Sequence, residues 1–261
     1  MAEVNPQKKD RSPDAQEEYF GTRITPGTFH EWLAHISSTL GQGRRRWLSG
    51  HHNLHSLFLL QRDADVRRFY ERCNDCYIDG HPVRFILRGF GVSTTSEQRF
   101  SLMDHFLDLL YHAEKKNWSI FYLGSREDVV NLGSALIRQK FPGLRIQLHH
   151  GYHADTAELI QGINEWRPDV LLVGMGMPLQ ESWIIRHLDD LDAGFVAQAG
   201  ATLDYYTGAQ AKPPLCLSRY GLAWLHRLAN DPRRLWRRYL LEPWALLGPT
   251  LRHWYRYARF Q

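Results

Sequence analysis

The sequence predicts an α/β fold, a Rossmann-like and mostly parallel sheet with helices on both faces, followed by a basic helical C-terminal appendage. Three observations carry that prediction. From residue 118 onward, short apolar runs alternate with segments of helical periodicity. Glycine-bearing loops fall at the ends of these runs, at Gly124, Gly151, Gly174 with Gly176, and Gly200. From Pro213 the pattern turns helical, basic and aromatic. A parallel sheet with crossover helices buries such alternating segments, and its ligands gather at the carboxyl ends of the strands.

Residues 1–22 contain no apolar h-region and read as a disordered lead-in rather than a signal peptide or anchor. The core is expected over 23–212 and the appendage over 213–261. "NLHSLFLLQRDADVRRFYERC" reads as helical and "CYIDGHPV" as a strand running into a turn. "SEQRFSLMDHFLDLLYHAEKKN" is expected to be a helix with Phe100, Met103, Leu107 and Leu110 inward. "WSIFYLG" is a strand. "SREDVVNLGSALIRQKFPG" opens with Ser125 as candidate N-cap, places Val129, Leu132 and Leu136 on one face, and stops at Pro142 and Gly143. "LRIQL", "PDVLLVG" and "GFVAQAG" are the next strands. Between them lie "DTAELIQGINEW", with Asp155 and Glu158 at capping-box spacing, and "LQESWIIRHLDDL".

A chain of 261 residues with 43% apolar content can bury a sizeable core. Its longest uncharged stretch, residues 47–61, holds three histidines and is shorter than the roughly 18 apolar residues of a membrane span. The chain is expected to stay in the cytoplasm. Three cysteines are too few for a disulfide framework, and "CNDC" has no second pair to complete a zinc site. The net charge of +4 is uneven: residues 212–261 hold ten Lys or Arg against Asp231 and Glu242, leaving the rest at −4. An anionic partner is therefore expected for the tail alone.

In "VGMGMPLQE", residues 173–181, Leu179 stands where the dinucleotide fingerprint needs its third glycine, which disfavours a nicotinamide or flavin site. What remains is either a loop offering amides, a helix N-terminus and Gln180 to an anion, or a tight connection with a solvated glutamine. Asp79, in "YIDGHP", is either a general base at a strand end or an Asx-turn cap. The clusters His51, His52, His55 and His149, His150, His153 lack an acidic or cysteine ligand, so neither metal nor cofactor is expected. No G-x-S-x-G, P-loop or H-E-x-x-H occurs. The tail interleaves arginines with Trp224, Trp236, Tyr239, Trp244 and further aromatics. That mixture suits a monotopic membrane contact, RNA binding, or a helical cap with a solvated basic face.

The segments "NLHSLFLLQRDADVRRFYERCNDCYIDGHPV", "FYLGSREDV", "PDVLLVGMGMPLQESWI", "AGATLDYYTGAQAKPP" and "RYGLAWLHRLANDPRRLWRRYL" together resemble the WecG/TagA/CpsF glycosyltransferase family. The resemblance implies an inverting, metal-independent transfer of a sugar from a UDP-sugar to a polyprenyl-diphosphate-linked saccharide in cell-surface or exopolysaccharide assembly. It places the enzyme peripherally on the inner face of the cytoplasmic membrane, with no nucleic acid partner. Asp79 matches the family's proposed base, and Asn53 lines the same pocket. Gln180 and Asp204 match residues of the donor site, to which the strand-end residues Gly124, Ser125, Gly174, Gly176, Pro178, Glu181 and Gly200 are assigned. His51 stands where members commonly carry a threonine. Arg99, Arg227, Arg234 and Arg237 match positions expected to meet the acceptor diphosphate. The rival from another class is a non-catalytic RNA-binding or scaffold protein that kept the fold.

Overall fold

A computed structural model describes residues 17–19, 21–152, 156–214, 216–217, 220–251 and 255. Strands β1 (Glu17–Tyr19) and β2 (Thr22–Ile24) form an antiparallel hairpin. The rest of the core runs α1 (Phe29–Gly41), β3 (Trp47–His52), α2 (Leu54–Leu60), α3 (Ala64–Arg72), β4 (Asp75–Ile78), α4 (His81–Gly89) and α5 (Leu102–Lys116). It continues through β5 (Ser119–Gly124), α6 (Glu127–Lys140), β6 (Arg145–His149), α7 (Thr156–Trp166), β7 (Val170–Gly174), α8 (Leu179–His187), β8 (Phe195–Gln198) and α9 (Thr202–Thr207). The appendage holds α10 (Ala223–Asn230), α11 (Pro232–Trp236), a π-helical turn over Arg237–Leu241, and α12 (Glu242–Ala245).

Six strands pair in the order β4-β3-β8-β7-β5-β6, all parallel. Alternation along each strand divides the core into two layers. In β7, Val170 and Leu172 face the layer of α1, α5, α6 and α9, while Leu171 and Val173 face α2, α3, α7 and α8. Helices thus cover both faces, as the alternating sequence pattern predicts.

Several local expectations change. Part of the expected disordered lead-in, Glu17–Tyr19, is paired with Thr22–Ile24, because buried Ile24 and the Thr25 amide, which donates to the Cys76 carbonyl, dock this hairpin beside β4. Residues 1–16 and the proposed Asp155 cap lie outside the described residues. The helical stretch after Asn53 breaks in two, since the Asp63 carboxylate accepts from the amides of Asp65 and Val66 and starts α3. In α5 the buried face is Leu102, Phe106, Leu109, Leu110 and Ala113, so Leu107 turns outward. In α6 it is Val129, Val130, Gly133 and Ile137, leaving Leu132 exposed. Ser125 does not cap α6: it sits in the left-handed region at φ +63°, and its hydroxyl donates to Asp204 Oδ2 at 2.8 Å.

The appendage is anchored at its end. Leu246 is buried against Ile24, Leu57, Ile78, Val83 and Leu87, and His55 Nδ1 lies 2.6 Å from Glu242 Oε2. Among the described residues no helix is long and apolar enough to cross a membrane.

Candidate active site

The site begins with the register of two strands. His52 on β3 pairs with Ile78 on β4, so Asn53 and Asp79, the residues that follow, emerge side by side. The Asp79 amide donates to the His52 carbonyl at 2.9 Å, which fixes the backbone there. Asn53 is the N-cap of α2, and its Oδ1 accepts from the Ser56 amide at 3.1 Å. With Oδ1 committed to the cap, Nδ2 faces Asp79 Oδ2 at 3.5 Å. Gly80, not Asp79, is the N-cap of α4, and that helix has no side-chain cap. The Asx-turn reading of Asp79 therefore gives way to a carboxylate directed elsewhere.

It is directed at two adjoining cavities. The first, about 390 Å³, is lined by His51, Asn53, Asp79, Gly176, Gln180 and Gly200 from the strand-end loops, by Tyr205, and by Arg227, Arg234, Arg238 and Tyr239 from the appendage. The second, about 410 Å³ and more apolar, is bounded by Leu54, His81, Pro82, Arg99, Trp224 and Pro243. Asn53, Asp79, Ser101, Met103, Arg227, Arg238 and Tyr239 line both, so they form the partition. A larger groove of about 900 Å³ runs along the β6 edge past Arg138, Gln147, His149 and His150 and holds none of the predicted site residues.

Burial raises the pKa of Asp79 above the usual carboxylate range, and Arg227, a hydrogen bond from Ser101, Arg99 and Asn53 pull it partly back. Such a carboxylate is a stronger base than a solvated one. His51 is 4% exposed, its pKa lowered to about 4 by burial, so its imidazole is neutral at physiological pH. Its buried Nε2 has no hydrogen-bond partner among the described residues.

The glycine loops divide their roles. Gly176 at φ +77° and Gly200 at φ +55° adopt the left-handed conformation on the wall of the first cavity. Gly124 and Gly174 instead allow strand ends to meet: a Cβ on Gly174 would stand 2.1 Å from the Tyr122 hydroxyl oxygen and 2.7 Å from the Gly200 carbonyl oxygen. Gln180 ties the loops together, its Oε1 accepting from the amides of Gly176 at 3.2 Å and Gly200 at 3.0 Å. Its Nε2 donates to Glu181 Oε1 at 2.8 Å, which orients the amide. Two loop amides that the sequence reading offered to an anion are thereby already occupied.

The structure thus gathers His51, Asn53, Asp79, Gly176, Gln180, Gly200, Arg227 and Arg234 around the first cavity, with Arg99 beside the second. Gly124, Ser125, Gly174, Pro178, Glu181, Asp204 and Arg237 line neither; the Arg237 guanidinium lies over the Trp236 ring, 5.3 Å from its centroid. Sequence reasoning missed Ser101, Tyr205, Arg238 and Tyr239. Only the neighbouring arginine pair in "WRRYL" signalled that Arg238 deserved weighing against Arg237. Cys73 and Cys76 are free and buried beneath the sheet, and among the described residues no group of three His, Cys, Asp or Glu is placed to hold a metal ion.

A protein-family model, the glycosyl transferase WecG/TagA/CpsF family, matches residues 17–259. Similar proteins include the N-acetylglucosaminyldiphosphoundecaprenol N-acetyl-beta-D-mannosaminyltransferases of Staphylococcus aureus strains MW2 and MRSA252. Each is 28% identical over 137 residues, which is 52% of this chain and 53% of the relative. The chain spans about half the length of the curated relatives it matches.

Proposed function

This chain belongs to the glycosyl transferase WecG/TagA/CpsF family, and we propose that it transfers a sugar from a UDP-sugar to a saccharide linked to a polyprenyl diphosphate, with inversion and without a metal. The observation that carries this reading is the Asp79 carboxylate in the partition between a polar cavity at the strand ends and a more apolar one under the appendage. The nucleotide sugar occupies the first and the lipid-linked acceptor the second. The names of the relatives point to an N-acetylhexosamine donor and an N-acetylglucosaminyl diphosphate acceptor.

A single displacement then fits the geometry. Asp79 accepts the proton of the attacking acceptor hydroxyl as the new C–O bond forms at the anomeric carbon. The bond to the nucleotide diphosphate breaks on the opposite face, and guanidinium groups meet the charge that develops there. Arg227 and Arg234 line the donor cavity, so the appendage supplies countercharge to the side where the leaving group departs.

The appendage also presents large exposed apolar side chains, among them Leu241, Trp244, Leu247 and Leu251, together with Phe85 of α4. Next to its arginines these suit a peripheral contact with the inner face of the cytoplasmic membrane, where the acceptor resides. The test is release of UDP from a panel of UDP-sugars with a purified polyprenyl-diphosphate-linked acceptor. The expected result is acceptor-dependent release that Asp79→Asn abolishes while UDP still binds. Near-normal turnover in that variant would remove Asp79 from the chemistry, and salt-sensitive RNA binding without any UDP release would favour a non-catalytic role.

A further inference from the structure

The partition holds two cations that form no ion pair with a carboxylate among the described residues. Arg227 and Arg238 each line both cavities, and among the described residues neither lies within ion-pair distance of an aspartate or glutamate. Other arginines of the chain are matched in this way: Arg45 with Asp192 at 2.8 Å, Arg186 with Asp65 at 2.5 Å, and Arg234 with Asp231 at 2.5 Å. The carboxylates near Arg238 each meet another group. Glu242 is held by His55, Glu181 by Gln180 through Oε1 alone, and Asp79 faces Asn53.

Arg227 makes the same case. Its Nε is buried without a hydrogen-bond partner among the described residues, and its terminal nitrogen reaches the Met103 sulfur at 3.6 Å. Two like charges enclosed side by side are costly to desolvate, and an anion that bridges them offsets that cost. The loop amides cannot serve instead, since Gln180 occupies those of Gly176 and Gly200.

We infer that Arg238, acting with Arg227, binds an organic diphosphate at the passage between the two cavities and that it does so in place of Arg237. This rests on the sugar-transfer reading above for the identity of the diphosphate, but not for the existence of the site. The local geometry distinguishes the two neighbours. The segment Arg237–Leu241 is π-helical, with the Glu242 amide bonded to the Arg237 carbonyl. Of the two arginines in this segment, Arg238 lines both cavities and Arg237 lines neither. Arg238 and Asp79 line the same two cavities, and Arg237 is left against Trp236. A planar guanidinium suits this place because it can grip two diphosphate oxygens at once.

The experiment measures binding of UDP, a short-chain prenyl diphosphate and inorganic pyrophosphate by calorimetry to the full chain. The variants are Arg238→Gln, Arg238→Lys, Arg237→Gln and Arg233→Gln, the last removing one exposed charge from the same segment. Circular dichroism confirms that each is folded. Arg238→Gln is expected to weaken at least one diphosphate by about tenfold or more, Arg238→Lys by less, and Arg233→Gln by under threefold, with Arg237→Gln closer to Arg233→Gln than to Arg238→Gln. Whether UDP or the prenyl diphosphate suffers identifies which substrate's diphosphate the residue holds. Arg238-dependent binding of pyrophosphate without any binding of UDP or prenyl diphosphate would keep the anion site and remove the sugar-transfer reading. Arg238→Gln binding all three probes within threefold of the parent, or a parent that binds none of them, would overturn the inference.

Discussion

Glu181 offers the sharpest test of how the cleft is held together. It is fully buried beneath the strand-end loops, its Oε1 accepts from Gln180, and its Oε2 has no partner among the described residues. Burial lifts its pKa from the ordinary 4.5 to about 7, with Gln180 and its own amide pulling the other way. A raised carboxylate pKa means that the folded state holds the proton more tightly than the unfolded chain does. The associated stability is complete below the unfolded value and is lost as pH rises through the folded one. At ~1.4 kcal/mol per pH unit, this amounts to on the order of 3 kcal/mol between the two limits. Glu181→Gln keeps an acceptor for Gln180 and removes the charge. Urea denaturation of parent and variant from pH 5 to pH 8 should therefore show their stability difference shifting in the variant's favour by about 2 to 3 kcal/mol. Taking the difference cancels the titration of every other group. Parallel stability profiles over that range would refute the argument.

Four further outcomes follow from the same geometry. Activity should rise with pH through a value above the usual carboxylate range, because the proposed transfer needs ionised Asp79 and burial raises its pKa; a pH–rate profile flat down to pH 4 would exclude Asp79 as the base. His51→Thr should raise the donor KM several-fold with a smaller effect on stability, since the side chain meets the first cavity with an unpartnered nitrogen, and an unchanged KM would count against contact with the donor. Gly174→Ala should destabilise by about 1–3 kcal/mol, because its Cβ would collide with Tyr122 and the Gly200 carbonyl; thermal unfolding at the parent temperature would contradict that packing. Truncation after Ala211 should lower both activity and sedimentation with anionic liposomes, and unchanged sedimentation would remove the membrane role of the appendage.

Strands β5, β7 and β8 were legible because they are apolar on both faces, and their glycine ends marked the carboxyl edge of the sheet. Strand β3 was not. Its Ser49, Gly50, His51 and His52 carry no hydrophobic alternation, and their burial is supported by distant partners: Asp75 and Trp32 for Ser49, Thr22 and Ser56 for His52. No local pattern announces such pairings. The helix phases of α5 and α6 slipped by a residue for a related reason, since each was set by which side the sheet lies on. At the site, Asp79 and Asn53 could be read because motif and strand end coincide. The place of Arg238 in the cavity wall could not, because α-helical periodicity contains no hint that the segment Arg237–Leu241 is π-helical.

Setting the proposed base in a wall between two cavities has a consequence for fidelity. A half-buried carboxylate flanked by arginines and tyrosine on one side and strand-end loops on the other has less opportunity to activate a stray water molecule than one on an open surface. On the proposed chemistry, a loaded nucleotide sugar would wait intact until a lipid-borne hydroxyl arrives from the opposite chamber. Futile hydrolysis is then suppressed by architecture, before any discrimination between rival nucleophiles is needed.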